Sequence, residues 1–145
     1  MRDFIFKRIV AIIVPFMSIY GFYVIFHGSS SAGGSFAGGI ILSLAFIVYS
    51  TIYGKKRGKE KLPEKVLNWI ESFGTLFFGL VGMIGIFKGG PFLSNKLAGI
   101  NIGTPGSLSS GGLISLLGLA VGIRVAGSMI TLFFTMTEEE HEDII

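Results

Sequence analysis

Four long apolar stretches limit what this chain can fold into. They cover residues 9–26, 36–53, 66–87 and 113–136, and each has about the 20 residues that an α-helix needs to cross a bilayer. Each is apolar on nearly all sides, which indicates a helix facing lipid or protein rather than water. Barrel strands would show short alternating segments instead. The sequence therefore predicts an all-α integral membrane protein with four transmembrane helices in a single domain, residues 1–145.

Charge is scarce, and its distribution predicts an orientation. Only 14% of the residues are charged, whereas soluble domains carry about 25%. Nine of the twelve Lys and Arg residues lie before the first stretch or in the loop of residues 54–65. Because cytoplasmic segments collect basic residues, we expect both regions, and both chain termini, on the cytoplasmic side of the cell membrane. The loop would also attract anionic lipid headgroups. The residues beside this loop do not form a surface that would recognise nucleic acid.

The first stretch has a second interpretation. Its basic start and the small residues that follow are also typical of a secretory signal peptide. The apolar core is longer than the roughly 7–15 residues usual for a signal, and three more stretches follow it. We therefore expect a membrane span.

Small residues recur at helical spacing in and near three of the stretches. Such residues let transmembrane helices approach closely, which matters because lipid gives helices no hydrophobic reason to associate. We expect close packing there, including packing against helices of other subunits on more than one side. The residues are Gly34 with Gly38, Ser35 with Gly39, the series Gly79, Gly82 and Gly85, and Gly118 with Gly122 and then Gly127.

The turn after the first stretch is rich in serine and glycine. We expect a tight connection that faces outward, as does the later loop of residues 88–112. Gly33 and Gly34 permit positive φ there, and Ser35 is the predicted N-cap of the second helix. Ser29, Ser30 and Ser31 would satisfy helix-end backbone groups.

Two ionised side chains fall within predicted spans, Glu71 and Arg124. A charge at a helix centre costs at least about 2.5–3.5 kcal/mol, so both should face protein or water. One interpretation is structural, an ion pair or contacts to neighbouring subunits. The other is functional, with Glu71 offering a carboxylate to passing Na⁺ or H⁺ and Arg124 tuning its proton affinity. His27, at the membrane boundary, is an interfacial polar residue or a titrating group on a proton path.

The remaining polar residues in the spans suggest no active site. Hydroxyl residues either line a polar path or bond to their own helix backbone, which is commoner. We assign no catalytic residue, because there is no Ser–His pair at useful depth, no HExxH and no paired carboxylates. No metal ligands converge, and there is no Cys. The hydroxyl residues considered are Ser43, Thr75, Ser115, Ser128 and Thr131.

Three blocks in order, residues 21–49, 71–95 and 103–134, resemble the MnhB/MrpB subunit family of multisubunit Na⁺/H⁺ antiporters. Related subunits occur in membrane-bound hydrogenases and similar respiratory complexes. The segment Gly89, Gly90 and Pro91 followed by Phe matches the family well. At the first turn the family commonly has Pro-Gly-Gly-Gly-Phe, whereas this chain has Ala-Gly-Gly-Ser-Phe at residues 32–36, so a fixed proline φ is missing.

The resemblance implies a non-catalytic subunit that helps form and hold the ion-translocating part of a Na⁺/H⁺ antiporter. It implies other antiporter-type membrane subunits as partners, no cofactor in this chain, and Na⁺ and H⁺ as transported ions. The alternative is the same subunit in a redox-driven, hydrogenase-type complex with Fe–S partners. A self-contained small transporter is disfavoured, because four spans without an inverted repeat do not fit that class.

Overall fold

A computed structural model describes residues 2–29, 33–93 and 111–142. These ranges contain helices and no strand. The helices are α1 (Arg2–Phe26), α2 (Gly34–Tyr53), α3 (Lys55–Lys61), α4 (Glu64–Phe87) and α5 (Leu113–Glu142). All but α3 are long and apolar enough to cross a membrane. The predicted all-α architecture with four transmembrane helices is therefore confirmed.

The four long helices form a row rather than a closed bundle. Helix α1 packs along α2, α2 packs against α5, and α5 packs against α4, with a slight contact between α1 and α5. In an apolar 18-residue window of each span, between 22% and 33% of the residues are buried. Most side chains of the row therefore face its surroundings, and the large apolar ones among them suit lipid or other membrane helices.

One end of the row gathers the basic residues. The hydroxyl of Tyr53 donates to the carbonyl of Lys7 at 2.9 Å, and the Lys55 ammonium donates to the carbonyl of Thr137 at 3.4 Å. These bonds place the start of α1 and the last turns of α2 and α5 together. We call this the basic end. Its cytoplasmic location stays a prediction.

The loop predicted at residues 54–65 is partly helical, because α3 occupies most of it. Gly54 turns the chain with φ of 101°. Gly58 is buried, and a Cβ placed on it would lie 3.3 Å from the Phe134 ring. Lys59 forms ion pairs with Glu138 and, at 3.6 Å, with Glu64. The basic segment is thus folded onto the ends of α2, α4 and α5.

The predicted cap of α2 was wrong. The helix begins at Gly34 with Gly33 as its N-cap, and no side chain bonds to the cap. Ser35 lies inside the first turn, where its hydroxyl packs against Gly118. The predicted positive φ is confirmed, at 99° for Gly33 and 62° for Gly34. The predicted roles of Ser30 and Ser31, the departure at Ala32, and most of the predicted outward loop, residues 94–110, lie outside the described residues.

Glycines set the close contacts inside the row. A Cβ placed on Gly38 would lie 2.8 Å from the backbone nitrogen of Ile25 in α1. One placed on Gly39 would lie 2.5 Å from the carbonyl oxygen of Gly122 in α5. Real Cβ atoms do not approach backbone this closely, so only glycine allows these crossings. We had expected such glycines to contact partner subunits as well, but these pack within the chain.

Helix α4 ends in a glycine motif. The Gly89 amide donates to the carbonyl of Ile86 at 2.9 Å, and the Gly90 amide donates to that of Gly85 at 3.0 Å. Gly89 has φ of 82°. This is the Schellman arrangement, which satisfies the last carbonyls of a helix. Pro91 follows, and the next ring, Phe92, folds back against Gly82 of the series noted above.

Candidate functional site

Polar side chains follow matching stripes on α4 and α5. Successive members of each stripe are four, three and four residues apart, which places them on one helix face. Because α4 and α5 are packed side by side, the stripes share one contact between helices. We call these eight residues the polar crease: Glu64, Asn68, Glu71 and Thr75 on α4, and Arg124, Ser128, Thr131 and Thr135 on α5.

Contacts between the helices show that the stripes meet. The Thr131 hydroxyl lies 3.1 Å from a Glu71 carboxylate oxygen. Towards the basic end, a depression of about 160 Å³ is lined by Glu64, Asn68, Thr131 and Thr135, together with two apolar side chains. The polar crease therefore begins as an open depression at the basic end and continues into the membrane span.

Two glycines position the crease. A Cβ placed on Gly127 would lie 3.3 Å from the Cγ of Glu71, and one placed on Gly74 would lie 3.0 Å from the Cβ of Arg124. A larger residue at either position would push the helices apart or displace the charged side chain. Close helix approach and the location of both charges thus depend on the same small residues.

Glu71 and Thr131 form the chemical centre of the crease. Glu71 is half-buried, and the Thr131 hydroxyl is 3.1 Å both from its carboxylate and from the carbonyl oxygen of Gly127. A hydroxyl has one proton to donate and two acceptor lone pairs. It can donate to an ionised Glu71, or donate to Gly127 and accept from a protonated Glu71. The pair therefore suits either charge state of the carboxyl group.

Arg124 does not pair with Glu71. No ion pair or hydrogen bond of its guanidinium occurs among the described residues, and the side chain is exposed on α5. Its backbone packs on α4, where Gly74 faces it. Because Gly74 faces Arg124 and Gly127 faces Glu71, the two charges are offset by about three residues, or roughly 4.5 Å of helix.

Several hydroxyls bond to their own helix, which was the commoner of the two expectations. Thr75 donates to the carbonyl of Glu71 at 2.9 Å, and Ser43 donates to that of Ile40 at 2.7 Å. Ser115 instead donates to the hydroxyl of Ser29, in the turn after α1, at 3.4 Å. Ser43 is buried away from the crease.

His27 lies apart from this site. It follows the last residue of α1, at the end of the row opposite the basic end. Its Nδ1 is 3.0 Å from the carbonyl oxygen of Tyr23, and its ring stacks on the Tyr23 ring with 4.3 Å between centroids. The structure does not bring His27 together with Glu71 or Arg124.

The opposite face of the row carries an apolar groove of about 460 Å³. All four long helices line it, and its few polar members include Ser18 and Lys61. Among the described residues, no three His, Asp or Glu side chains converge in a way that would hold a metal. Glu71, the one acidic residue of the predicted spans, lies in the polar crease.

Comparison with known proteins identifies the family. A family model described as "Domain related to MnhB subunit of Na+/H+ antiporter" matches residues 5–131. A Staphylococcus aureus protein named "Putative antiporter subunit mnhB2" is 29% identical over 133 residues, which cover 86% of this chain and 94% of that protein.

An uncharacterized protein of Methanocaldococcus jannaschii is 30% identical over 127 residues, which cover 86% of this chain. The match spans about half, 48%, of that relative's length. The family match extends over most of the chain, including most of α1, all of α2 and α4, and three of the four crease residues on α5. The chain is a member of the family related to the MnhB subunit of Na⁺/H⁺ antiporters.

Proposed function

We propose that this chain is a non-catalytic membrane subunit of a multisubunit Na⁺/H⁺ antiporter and that its polar crease forms one wall of the ion path. The observation that carries the proposal is the half-buried Glu71 carboxylate, hydrogen-bonded to Thr131 in a polar stripe inside the membrane. Family membership supplies the cation and proton chemistry that such a carboxylate would serve.

The dimensions of the crease support this role. Glu64 and Thr75 are eleven residues apart, or about 16 Å along a helix. The crease therefore reaches from the basic end about halfway through a hydrocarbon core of roughly 30 Å. An ion or proton entering there meets Asn68 and Thr135 before Glu71. Oxygen ligands of this kind suit Na⁺, and a carboxylate suits both transported species.

The crease supplies only one wall of such a path. Glu71 is the one acidic residue within the predicted spans, and the open row leaves the crease accessible from outside the chain. Other subunits would complete the enclosure and the far half of the path. This argues for a role within an assembly rather than for a self-contained transporter.

Orientation belongs to the same proposal, with the basic end and both termini in the cytoplasm. Because the chain has no Cys, single cysteines report on sidedness without background labelling. We expect Lys56→Cys to react with a membrane-impermeant maleimide in inverted vesicles only. Ser29→Cys, at the opposite end, should react in whole cells only. The reverse pattern would invert the topology.

The proposal is tested by purifying the tagged chain from native membrane in mild detergent and identifying its partners by mass spectrometry. We expect large antiporter-type subunits. We also expect Na⁺/H⁺ exchange in vesicles to depend on the chain's presence. Fe–S and hydrogenase subunits in the same complex would favour the redox-driven alternative. A lone chain or homo-oligomer would contradict the proposal.

A further inference from the structure

Arg124 carries an exposed charge at a depth where the hydrocarbon core of the bilayer provides no polar partner. It lies eleven residues from the start of α5 at Leu113 and twelve from the end of the predicted span at Met136. These separations correspond to about 16 and 18 Å of helix, farther than an arginine side chain extends. Arg124 therefore cannot place its charge at either membrane interface if α5 crosses the bilayer without a steep tilt.

The chain does not neutralise this charge. Among the described residues, no carboxylate lies within ion-pair distance of Arg124. Glu71, the one acidic residue of the predicted spans, is hydrogen-bonded to Thr131 instead. One turn along α5, Ser128 is also exposed, and the described residues offer its hydroxyl no hydrogen bond. An exposed cation beside an exposed hydroxyl is a poor surface for lipid.

We propose that a transmembrane helix of another subunit lies along the polar crease and presents an Asp or Glu side chain to Arg124. The guanidinium offers a planar fork of donors that matches a carboxylate. In a low-dielectric setting that pairing is the arrangement that best accommodates the charge. The inference rests on the proposed function in one respect, since it requires other subunits.

This arrangement would also close the crease. The partner helix would cover the exposed side of Ser128 and Thr75 and leave Glu71 between two subunits. Carboxylates would then occur at two depths, Glu71 from this chain and the partner's residue near Arg124. The path would lie at a subunit interface, which neither subunit forms alone.

Photocrosslinking in the intact complex tests this placement. We would introduce p-benzoylphenylalanine at Ser128 and, as a control at the far edge of the row, at the exposed Ile12 of α1. The expected product from Ser128 is a peptide of another subunit with an Asp or Glu within about one helical turn of the crosslink. The control should not yield that peptide.

Variants of Arg124 test the charge pairing. Arg124→Leu should lower recovery of the crosslinked subunit with the tagged chain at least tenfold, whereas Arg124→Lys should retain most of it. Arg124→Glu should fail alone and recover when the partner's carboxylate is changed to Lys. The abundance of each variant expressed without partners controls for misfolding, and the reciprocal charge exchange keeps the test decisive if Arg124→Leu is unstable.

Four outcomes would overturn the inference while leaving the proposed function intact. They are a crosslinked peptide without an acidic residue, a crosslink to lipid alone, a crosslink to a second copy of this chain, and normal recovery of partners with Arg124→Leu. If the unaltered chain recovers no other subunit at all, the proposed function itself fails. The two failures are therefore distinguishable.

Discussion

The contacts of α2 and the contact between α4 and α5 are both set by small residues, yet they differ in what those residues bring together. Gly38 and Gly39 bring α2 against the backbone of its neighbours, with Ile25 and Gly122 at the crossings. Gly74 brings α4 against both the carbonyl oxygen of Ala120 and the Cβ of Arg124 in α5. The first region joins mainly apolar surfaces, whereas the second joins two polar stripes beside an apolar core of Leu67, Ile130 and Phe134.

This difference separates stability from function in a chain with few charges. Backbone contact through glycine can hold membrane helices together by packing alone. A carboxylate and a guanidinium within the span cost free energy and need a purpose or a partner. We therefore assign the α2 contacts to stability and the polar crease to ion handling and assembly.

The largest expected effect is on the α2 contacts. In Gly39→Val the new side chain meets the carbonyl oxygen of Gly122, which cannot move without shifting α5. Overpacking usually costs about 1–3 kcal/mol and more against rigid backbone. We expect the chain to fall to near-background abundance in the membrane, as measured by immunoblot.

Gly79→Val is the matched control, because a Cβ there would meet nothing within 4 Å. We expect normal abundance for this variant. Equal loss in both variants would mean that glycine matters for insertion rather than for the α2 crossing.

A smaller effect is expected in the polar crease. Thr131→Val removes the hydroxyl that bonds Glu71 but keeps nearly the same volume. A hydrogen bond to a charged group is worth about 1.5–3 kcal/mol. We expect Na⁺/H⁺ exchange in vesicles to fall about tenfold, with abundance unchanged.

Thr131→Ser restores the hydroxyl and should retain most of the exchange. If Val and Ser variants both exchanged normally, the hydroxyl would have no part in the path. If both variants lost abundance, Thr131 would contribute to the stability of the chain, as the α2 contacts do.

The smallest effect is expected at Ser50, a buried polar residue of α2. It is fully buried, and its hydroxyl has no hydrogen-bond partner in the part of the chain that the structure describes. Removing such a group is nearly neutral or slightly stabilising. We expect Ser50→Ala to leave the Tm of the purified complex unchanged or slightly raised. A clear drop would show that polarity matters in this region too.

The sequence predicted the spans well, because length and hydropathy decide whether a helix crosses a bilayer. It did not predict α3, since its seven residues include five basic side chains and no apolar one. The buried position of Gly58 arises only from tertiary packing against Ser50 and Phe134. The predicted start of α2 was wrong, because serine is a commoner cap residue than glycine, whereas this helix begins at two glycines with positive φ.

The candidate site was predicted only in part. Glu71 and Arg124 stood out as charges, and Thr75, Ser128 and Thr131 were named separately. The four-three-four spacing on both helices becomes visible only when Glu64, Asn68 and Thr135 are counted with these residues. That α4 packs beside α5 is a tertiary fact, so no pattern within one helix predicts that Glu71 meets Thr131.

The most direct test of the central claim is Na⁺/H⁺ exchange by the assembled complex carrying Glu71→Gln. The amide keeps the shape of the side chain but neither ionises nor carries a proton. Glu60→Gln, on the exposed surface of α3, is the control. The account predicts that exchange falls to background for Glu71→Gln and stays normal for the control, with full subunit content in both. Undiminished exchange in a fully assembled Glu71→Gln complex would contradict it.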